Sequence, residues 1–261
     1  NDITKDINSE IRLFADDCIL YRQIVNNTDS VELQEDINKL YSWSLTWQMS
    51  FNTKKCHILS ISRQRLRPVT AYKIGPDHLT PVDSYPYLGV SISSDLRWNI
   101  HINDVCARAT RTLNFIRRNI YKCPADSKSL AFTSLVRPLL EYASGAWDPH
   151  TVKNINSLEM VQRRAARFVK RDYRRTTSAS SLIDGLGWST LSDRRKSSRL
   201  CSFYMAYNKL SPISLHHLAQ PSRSTRSTAD GSCFLTLSSR TNVFKFRSEE
   251  RRVGKECTNS C

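Results

Sequence analysis

The stretch Ile11-Arg12-Leu13-Phe14-Ala15-Asp16-Asp17-Cys18-Ile19-Leu20-Tyr21 sets two adjacent aspartates between two short apolar runs. Both runs are rich in branched and aromatic residues and roughly alternate, which predicts a strand, a turn and a second strand. Such a hairpin would hold two carboxylates side by side, where their like charges repel unless a cation neutralises them. The stretch is therefore a candidate divalent-metal site. The structural alternative is a plain turn, because aspartate is a common turn residue.

Length and charge limit the classes of protein to consider. The chain has 261 residues, enough for one large domain or two modest ones. Its 39 Lys and Arg residues against 24 Asp and Glu give a net charge of +15, which favours a polyanionic partner, nucleic acid first. An anionic membrane surface is the second candidate, but no amphipathic anchor stands out. The sequence contains no run of about eighteen apolar residues, so we expect no transmembrane helix.

The cysteines and the start of the chain indicate the cellular setting. Eight cysteines are scattered without a Cys-x-x-Cys pair, so we expect a reducing, intracellular location (nucleus or cytoplasm) and no structural zinc. The chain begins with Asn1 and shows no signal-peptide pattern. The first expected strand follows almost at once, so we expect the chain to be the later part of a longer protein.

Periodicity predicts an α+β protein. Asp29 with Glu32 indicates the start of a helix that runs to about Met49. From Trp98 onward the apolar spacing is helical, and Pro138 is expected to kink the second of the later helices. The expected strands are 57–61, 71–74, 85–92 and a short one near 233–237. The expected later helices are one from Trp98, then 125–143, one from about Val152, and 192–209, with a basic turn at 63–67.

The order of several motifs carries a resemblance. The Phe-Ala-Asp-Asp hairpin is followed by a helix with Trp47, then by Asn52-x-x-Lys55-Cys56, Tyr87-Leu88-Gly89-Val90 and Trp98-x-x-His101-Ile102. Further stretches are Val136-Arg137-Pro138-Leu139-Leu140-Glu141-Tyr142, Trp147-Asp148-Pro149 and the run from Leu158 to Ala165. This succession, over about residues 1–248, resembles the reverse transcriptases of non-long-terminal-repeat retrotransposons, of the LINE type and similar to jockey or CR1 elements.

The resemblance implies roles for the hairpin and for one lysine. Asp16 and Asp17 would help to bind two Mg²⁺ ions, which stabilise the attacking and leaving oxygens during transfer of a nucleotide. Lys55 would neutralise the triphosphate or protonate the leaving pyrophosphate, although Lys54 is an alternative and a solvated loop lysine is equally consistent. An earlier aspartate that such polymerases need would lie before Asn1. We therefore expect little polymerase activity from this chain alone.

The resemblance also implies contacts with nucleic acid. Tyr87, Leu88, Gly89 and Val90 match a primer-grip hairpin, in which glycine permits close approach of the backbone; an ordinary core strand is the alternative. A thumb helix would present arginines to phosphates, and a third helix is expected to carry a one-sided basic face. The residues concerned are Arg108, Arg111 and Arg118 in the thumb, and Arg163, Arg164, Arg167, Lys170, Arg171, Arg174 and Arg175 on that face.

The expected architecture follows from this resemblance. Residues 1–93 would be the second half of a polymerase palm, with antiparallel strands and a helix, 94–150 a helical thumb and 151–248 a basic, mostly helical region. Residues 249–261 read as a foreign or disordered tail. The expected partners are an RNA template, a DNA primer or target DNA, and dNTPs. The alternatives are a non-catalytic basic remnant that binds nucleic acid, and a purely structural α+β protein.

Overall fold

The computed structural model describes residues 2–62 and 70–211, and the chain divides into two compact units between Leu96 and Arg97. The expected basic turn at 63–67, the strand near 233–237 and the tail 249–261 lie outside the described residues. Helix and strand are both present, as the periodicity predicted. Among the described helices, none combines the length and apolar character needed to cross a membrane.

Over its described residues, the first unit contains one long helix and eight short strands. The helix is α1, Asn27–Thr46. The strands are β1 (Glu10–Phe14), β2 (Asp17–Tyr21), β3 (His57–Leu59), β4 (Lys73–Ile74), β5 (Asp77–His78), β6 (Thr80–Val82), β7 (Ser84–Tyr87) and β8 (Val90–Ser93). They pair two by two as β1–β2, β4–β5 and β7–β8, all antiparallel, and as β3–β6, which is parallel and so differs from the expected arrangement.

A capping box fixes the start of α1 three residues earlier than predicted. The Asn26 side chain accepts a 3.0 Å hydrogen bond from the Asp29 amide, and the Asp29 carboxylate accepts a 3.0 Å hydrogen bond from the Asn26 amide. Asn caps a helix as well as Asp does, so the motif that begins at Asn26 takes the role predicted for Asp29 and Glu32. Glu32 instead pairs with Arg22.

Buried Asp36 ties α1 to the segment that leads into β1. Its carboxylate accepts hydrogen bonds from the backbone amides of Asn8 and Ser9, the latter at 2.7 Å, and from Lys39 Nζ at 2.9 Å. Burial raises the pKa of Asp36, but these hydrogen bonds outweigh that effect and hold the pKa below its ordinary value. The first hairpin is thus anchored to the helix at its base.

The predicted single strand over 85–92 is wrong, because a turn divides it into β7 and β8. Leu88 and Gly89 form a two-residue turn with φ values of 45° and 78°. Positive φ at both central residues is the feature of a type I′ hairpin turn, which fits the twist of the flanking strands. Gly89 adopts this conformation without the steric cost that Leu88 bears. The Tyr-Leu-Gly-Val motif is therefore the tip of a hairpin.

The second unit is helical over its described part. Its helices are α2 (Asn99–Asn119), α3 (Ala125–Ala131), α4 (Arg137–Glu141), α5 (Val152–Lys170), α6 (Ala179–Asp184) and α7 (Leu191–Tyr207). The predicted apolar stripe of α2 is buried along its length, from Ile102 through Ala109 to Ile116. α2 and α5 pack on each other, and α5 also contacts α3, α6 and α7.

Pro138 alters the helix in the turn that precedes it, where the backbone forms a π-helical turn instead of a simple kink. A π-helical turn, Phe132–Val136, joins α3 to α4, and Pro138 lies in the first turn of α4. Proline has no amide to donate to the preceding turn and its ring crowds that turn, so the backbone widens there. The predicted helix over 125–143 is therefore a run of three segments that ends at Glu141.

α5 is a central helix, which explains why polar side chains are buried along it. Asn154 Nδ2 donates a 2.7 Å hydrogen bond to Asn99 Oδ1, Gln162 Nε2 donates one of 2.9 Å to the Ser189 carbonyl, and Glu159 accepts one of 2.9 Å from the Ser192 amide. Buried polar groups need such partners. These bonds fix α5 against the start of α2 and the start of α7.

Candidate active site and nucleic-acid interface

The first hairpin has the form that the sequence predicted. Phe14 pairs with Asp17 across β1 and β2, so Ala15 and Asp16 form the two-residue turn. Asp16 lies in this turn, Asp17 opens β2, and both side chains are exposed. The two carboxylates thus stand at an accessible hairpin tip.

The backbone at this tip is in a costly conformation. Ala15 has φ of 52°, in the left-handed region that residues with a side chain rarely adopt. A non-glycine residue held there costs about 1–3 kcal/mol, and such positions concentrate at functional sites. The strain lies directly before the aspartate pair.

The aspartate pair fits part of a magnesium site. Within residues 2–62 and 70–211, no three His, Cys, Asp or Glu side chains come together as a metal site. Mg²⁺ is commonly held by one or two carboxylates, with water and substrate phosphates as the other ligands. The hard oxygens of Asp16 and Asp17 match that incomplete ligand set.

Tyr87 of the second hairpin interacts electrostatically with the first hairpin. Burial raises the pKa of Tyr87, and the nearby negative charge of Asp17 raises it further. Tyr87 is the last residue of β7, next to the turn at Leu88 and Gly89, and it pairs with buried Val90. Tyr87, next to the tip of the Tyr-Leu-Gly-Val hairpin, therefore lies within electrostatic range of Asp17 in the first unit.

Lys55 is attached to the same hairpin through its backbone. The Tyr85 hydroxyl donates a 3.0 Å hydrogen bond to the Lys55 carbonyl, and the ring of Tyr85 lies 5.2 Å from that of His57. The side chains of both Lys54 and Lys55 are exposed, so either amine is free to reach a ligand. The segment 55–57 thus contacts Tyr85, two positions from Tyr87, which is within electrostatic range of Asp17.

Sequence reasoning missed Tyr85. Tyr85 and Tyr87 are two positions apart on one strand, so their side chains lie on the same face. Tyr87 is within electrostatic range of Asp17, and Tyr85 holds the segment that carries Lys55. The available signal was the strand alternation on either side of Pro86. It puts Tyr85 on the same face as Tyr87, which the Tyr-Leu-Gly-Val motif had already identified as a candidate site residue.

The predicted thumb arginines are exposed. Arg108, Arg111 and Arg118 lie on the side of α2 opposite its buried stripe. Successive members are three or seven positions apart, which keeps them on one face of the helix. This face presents three guanidinium groups to solvent.

The predicted basic face of α5 is wrong in its C-terminal part, because the helix ends before that face is complete. α5 stops at Lys170, and Arg171 follows it with φ of 53°. Arg174 and Arg175 lie in the loop beyond, and Arg174 pairs with Asp172 at 2.8 Å. The hydrogen bonds from Arg174 and Thr177 hold the pKa of Asp172 far below its ordinary value.

Two of the predicted α5 arginines are engaged within the protein. The Arg167 guanidinium donates to the carbonyls of Asp172, Arg174 and Thr177, at 3.0–3.3 Å. Arg171 donates a 2.6 Å hydrogen bond to the Tyr121 carbonyl, and its guanidinium lies 5.1 Å from the centre of the Tyr121 ring. These side chains organise the end of α5.

The remaining members of the predicted face differ in exposure. Arg164 and Lys170 are exposed, and Arg163 is half-buried. The helix places many buried residues between them, because α5 packs on several neighbours. Of the residues predicted to bind nucleic acid on this face, Arg164, Lys170 and Arg171 are exposed, and Arg171 is also bonded to Tyr121.

The chain is similar to two known proteins of the family that the order of its motifs resembles. Over 164 residues, 60% of its length, the chain is 26% identical to the RNA-directed DNA polymerase from mobile element jockey of Drosophila funebris. Over 161 residues, again 60% of its length, it is 24% identical to the probable RNA-directed DNA polymerase from transposon BS of Drosophila melanogaster. This confirms the predicted resemblance to reverse transcriptases of non-long-terminal-repeat retrotransposons.

The similarity covers only part of this chain and a smaller part of each relative. The matched part of the chain corresponds to 18% of the length of each of these relatives. No family model matches the chain, and no solved structure matches it. The similarity to reverse transcriptases therefore rests on the two polymerases and on the order of the motifs.

Proposed function

We propose that this chain is part of an RNA-directed DNA polymerase of a retrotransposon and carries part of its active site. The observation that supports the proposal is that three motif segments interact in the first unit. Tyr87 lies within electrostatic range of Asp17, and the Lys55 backbone is bonded to Tyr85. The similarity to two mobile-element polymerases supports the same function.

The proposed role of the aspartates is to hold Mg²⁺ through their exposed carboxylates. A pair of bound Mg²⁺ ions supplies charge stabilisation for the oxygens that attack and leave during nucleotidyl transfer. Asp16 and Asp17 contribute the hard anionic ligands that this chemistry needs. The strained turn at Ala15 sets the direction of Asp16 in advance of binding.

Lys55 and the second hairpin have proposed roles around the aspartates. An exposed amine at Lys55 neutralises the triphosphate or supplies a proton to the leaving pyrophosphate, and Lys54 is the alternative donor. The turn at Leu88 and Gly89 approaches the end of the primer with its backbone. Tyr87 and Val90 flank that turn.

The proposed architecture is a partial palm followed by a helical thumb. In this arrangement the first unit is the later half of the palm, and α2 begins the thumb. Arg108, Arg111 and Arg118 would bind phosphates of the template and primer without reading sequence. Arg164 and Lys170 extend this basic surface on α5. The location that we propose is intracellular.

Metal binding by the hairpin can be tested on the chain itself. We expect Mg²⁺ to shift the amide NMR signals of residues 14–18 at millimolar concentration, and Mn²⁺ to broaden them. Replacing both Asp16 and Asp17 by Asn removes the charged ligands and should abolish both effects. Asp77→Asn, at another exposed hairpin, is the matched control. Equal shifts in the double variant and in the original chain would exclude the metal site.

Catalysis by the chain alone should be weak or absent. The resemblance implies a third carboxylate, and the described residues hold no group of three metal-binding side chains. We therefore expect no primer extension on poly(rA) with oligo(dT), dTTP and Mg²⁺. Robust synthesis by the purified chain, lost in Asp16→Asn, would show instead that this site is complete.

A second candidate function is a non-catalytic module that binds nucleic acid. The exposed arginines of α2 and the lack of a three-carboxylate group in the described ranges favour it. The two functions differ in their need for metal. A chain that binds RNA with strong salt dependence, but whose hairpin signals ignore Mg²⁺, would be the binding module.

A further inference from the structure

The exposed face of α2 contains an aromatic ring among its arginines. Phe115 is 59% exposed, whereas Phe132 and Phe168 in the same unit are buried. A phenylalanine has no polar end to hydrate, so this exposure leaves a large apolar surface in water. The ring lies on the side of α2 that faces away from the core.

The helix spacing sets arginines on both sides of the ring. Arg111 is four positions before Phe115, and Arg118 is three positions after it. Residues at these separations are neighbours on a helix surface. Arg108 lies one further turn away, with acidic Asp104 beyond it, so the basic part of the face runs from Arg108 to Arg118.

The chemistry of this face specifies one kind of partner. Guanidinium groups bind backbone phosphates, and an exposed ring offers a surface on which a base can stack. In a duplex the bases are already stacked on one another, whereas in a single strand their faces are open. A basic groove or ridge with an aromatic side chain is the usual platform for single-stranded nucleic acid.

We propose that Phe115 stacks on an unpaired base of single-stranded nucleic acid, and that Arg111 and Arg118 bind the phosphates of that strand. This inference rests on the proposed function and adds to it a contact with bases rather than phosphates. It applies to a single-stranded stretch next to the copied duplex, such as template that has not yet been paired. The contact tolerates any base, since every base has a flat face.

The test separates stacking from charge by using a ligand without bases. We compare binding of an oligothymidylate of about 12 nucleotides with that of an abasic oligomer of the same length, which keeps the phosphates. Phe115→Ala should weaken binding of the oligothymidylate about fivefold to tenfold and leave the abasic oligomer unchanged. Phe115→Trp should restore the affinity, because it retains a flat ring.

Two controls distinguish this proposal from the one on which it rests. Tyr204→Ala removes an aromatic side chain that is 62% exposed on α7, away from any arginine three or four positions along, and should change nothing. Arg111→Gln and Arg118→Gln should weaken both ligands, each lowering the slope of log affinity against log salt by about 0.7. Circular dichroism and gel filtration verify that each variant stays folded and of unchanged size.

Base stacking by Phe115 and phosphate binding by the α2 arginines predict different outcomes. If Phe115→Ala leaves oligothymidylate binding intact while the arginine variants weaken it, stacking is excluded and phosphate binding stands. If Phe115→Ala weakens both ligands equally, or changes the oligomeric state, the ring has a structural or self-association role and stacking is again excluded. If none of the variants has an effect, the α2 face is not a nucleic-acid interface at all.

Discussion

The hydroxyl of Tyr85 donates a 3.0 Å hydrogen bond to the backbone carbonyl of Lys55. These residues are thirty positions apart in the sequence, and the bond joins the segment that carries the candidate lysine to the strand that ends at Tyr87. It fixes the backbone of Lys55 and leaves its amine in solvent. The position of the lysine relative to the hairpin therefore depends on a tyrosine outside the motif.

Removing this hydroxyl should loosen that attachment. We expect Tyr85→Phe to lower the free energy of unfolding of the first unit by about 0.5–1.5 kcal/mol, the usual net value of one hydrogen bond. Urea denaturation followed by NMR signals of residues 53–59 measures the change. Tyr21→Phe, which removes a hydroxyl from a residue that is 45% exposed, is the control. Equal stability of the two variants would contradict the anchoring role.

Removal of one partner from a buried ion pair should strongly destabilise the second unit. Arg195 is only 1% exposed, and its Nε donates a 3.0 Å hydrogen bond to Asp148, whose carboxylate also lies 2.8 Å from Arg199 Nη1. Asp148→Asn leaves a buried guanidinium without its counter-charge, which typically costs about 3–5 kcal/mol. Thermal and urea denaturation measure this loss. Asp184→Asn, at an exposed acid of the same unit, should cost far less; an equal cost would contradict the prediction.

The stability of the second unit should fall in mild acid because of His101. The imidazole is 1% exposed and packs edge-on against the rings of Trp98 and Trp147. Burial lowers the pKa of His101, and the charge of Arg108 lowers it further. Below about pH 6.5 the unfolded state binds a proton that the folded state resists. Stability is thus present above that pH and is lost as the pH falls through the lower folded pKa.

The measurement is the urea midpoint of the second unit between pH 7.5 and pH 5. We expect a decrease toward pH 5 in the original chain. His101→Phe keeps an aromatic ring between the two tryptophans but cannot bind a proton, so its midpoint should depend less on pH. An identical pH dependence in the two proteins would assign the acid sensitivity to other groups.

The parts predicted correctly from sequence are those where local pattern and tertiary contact agree. The first hairpin follows from alternation on both sides of a turn, and the buried stripe of α2 follows from helical spacing. Periodicity missed the turn at Leu88 and Gly89, because a leucine with positive φ contradicts local preference. A hairpin there was expected only from the resemblance.

The basic face of α5 was mispredicted for a different reason. Helical spacing treats a helix as having one buried side, but α5 is surrounded by α2, α3, α6 and α7. Gln162 is therefore buried and bonded to the Ser189 carbonyl, and Arg167 donates hydrogen bonds to carbonyls of the following loop. Sequence gives the charge of such residues but not which of them long-range packing will engage.

This distinction predicts different effects for two arginines three positions apart on α5. Arg167 bonds the carbonyls of three loop residues, so Arg167→Gln should lower the stability of the second unit by about 1–3 kcal/mol and disturb the NMR signals of residues 172–177. Arg164 is exposed, so Arg164→Gln should leave stability unchanged and weaken RNA binding at low salt. Because Arg167→Gln changes the fold locally, any loss of RNA affinity in it says nothing about a direct contact. Denaturation and binding titrations of both variants provide the comparison. Should Arg164→Gln bind RNA as tightly as the original chain at every salt concentration, Arg164 would be only a solvated residue and the proposed interface would be confined to α2.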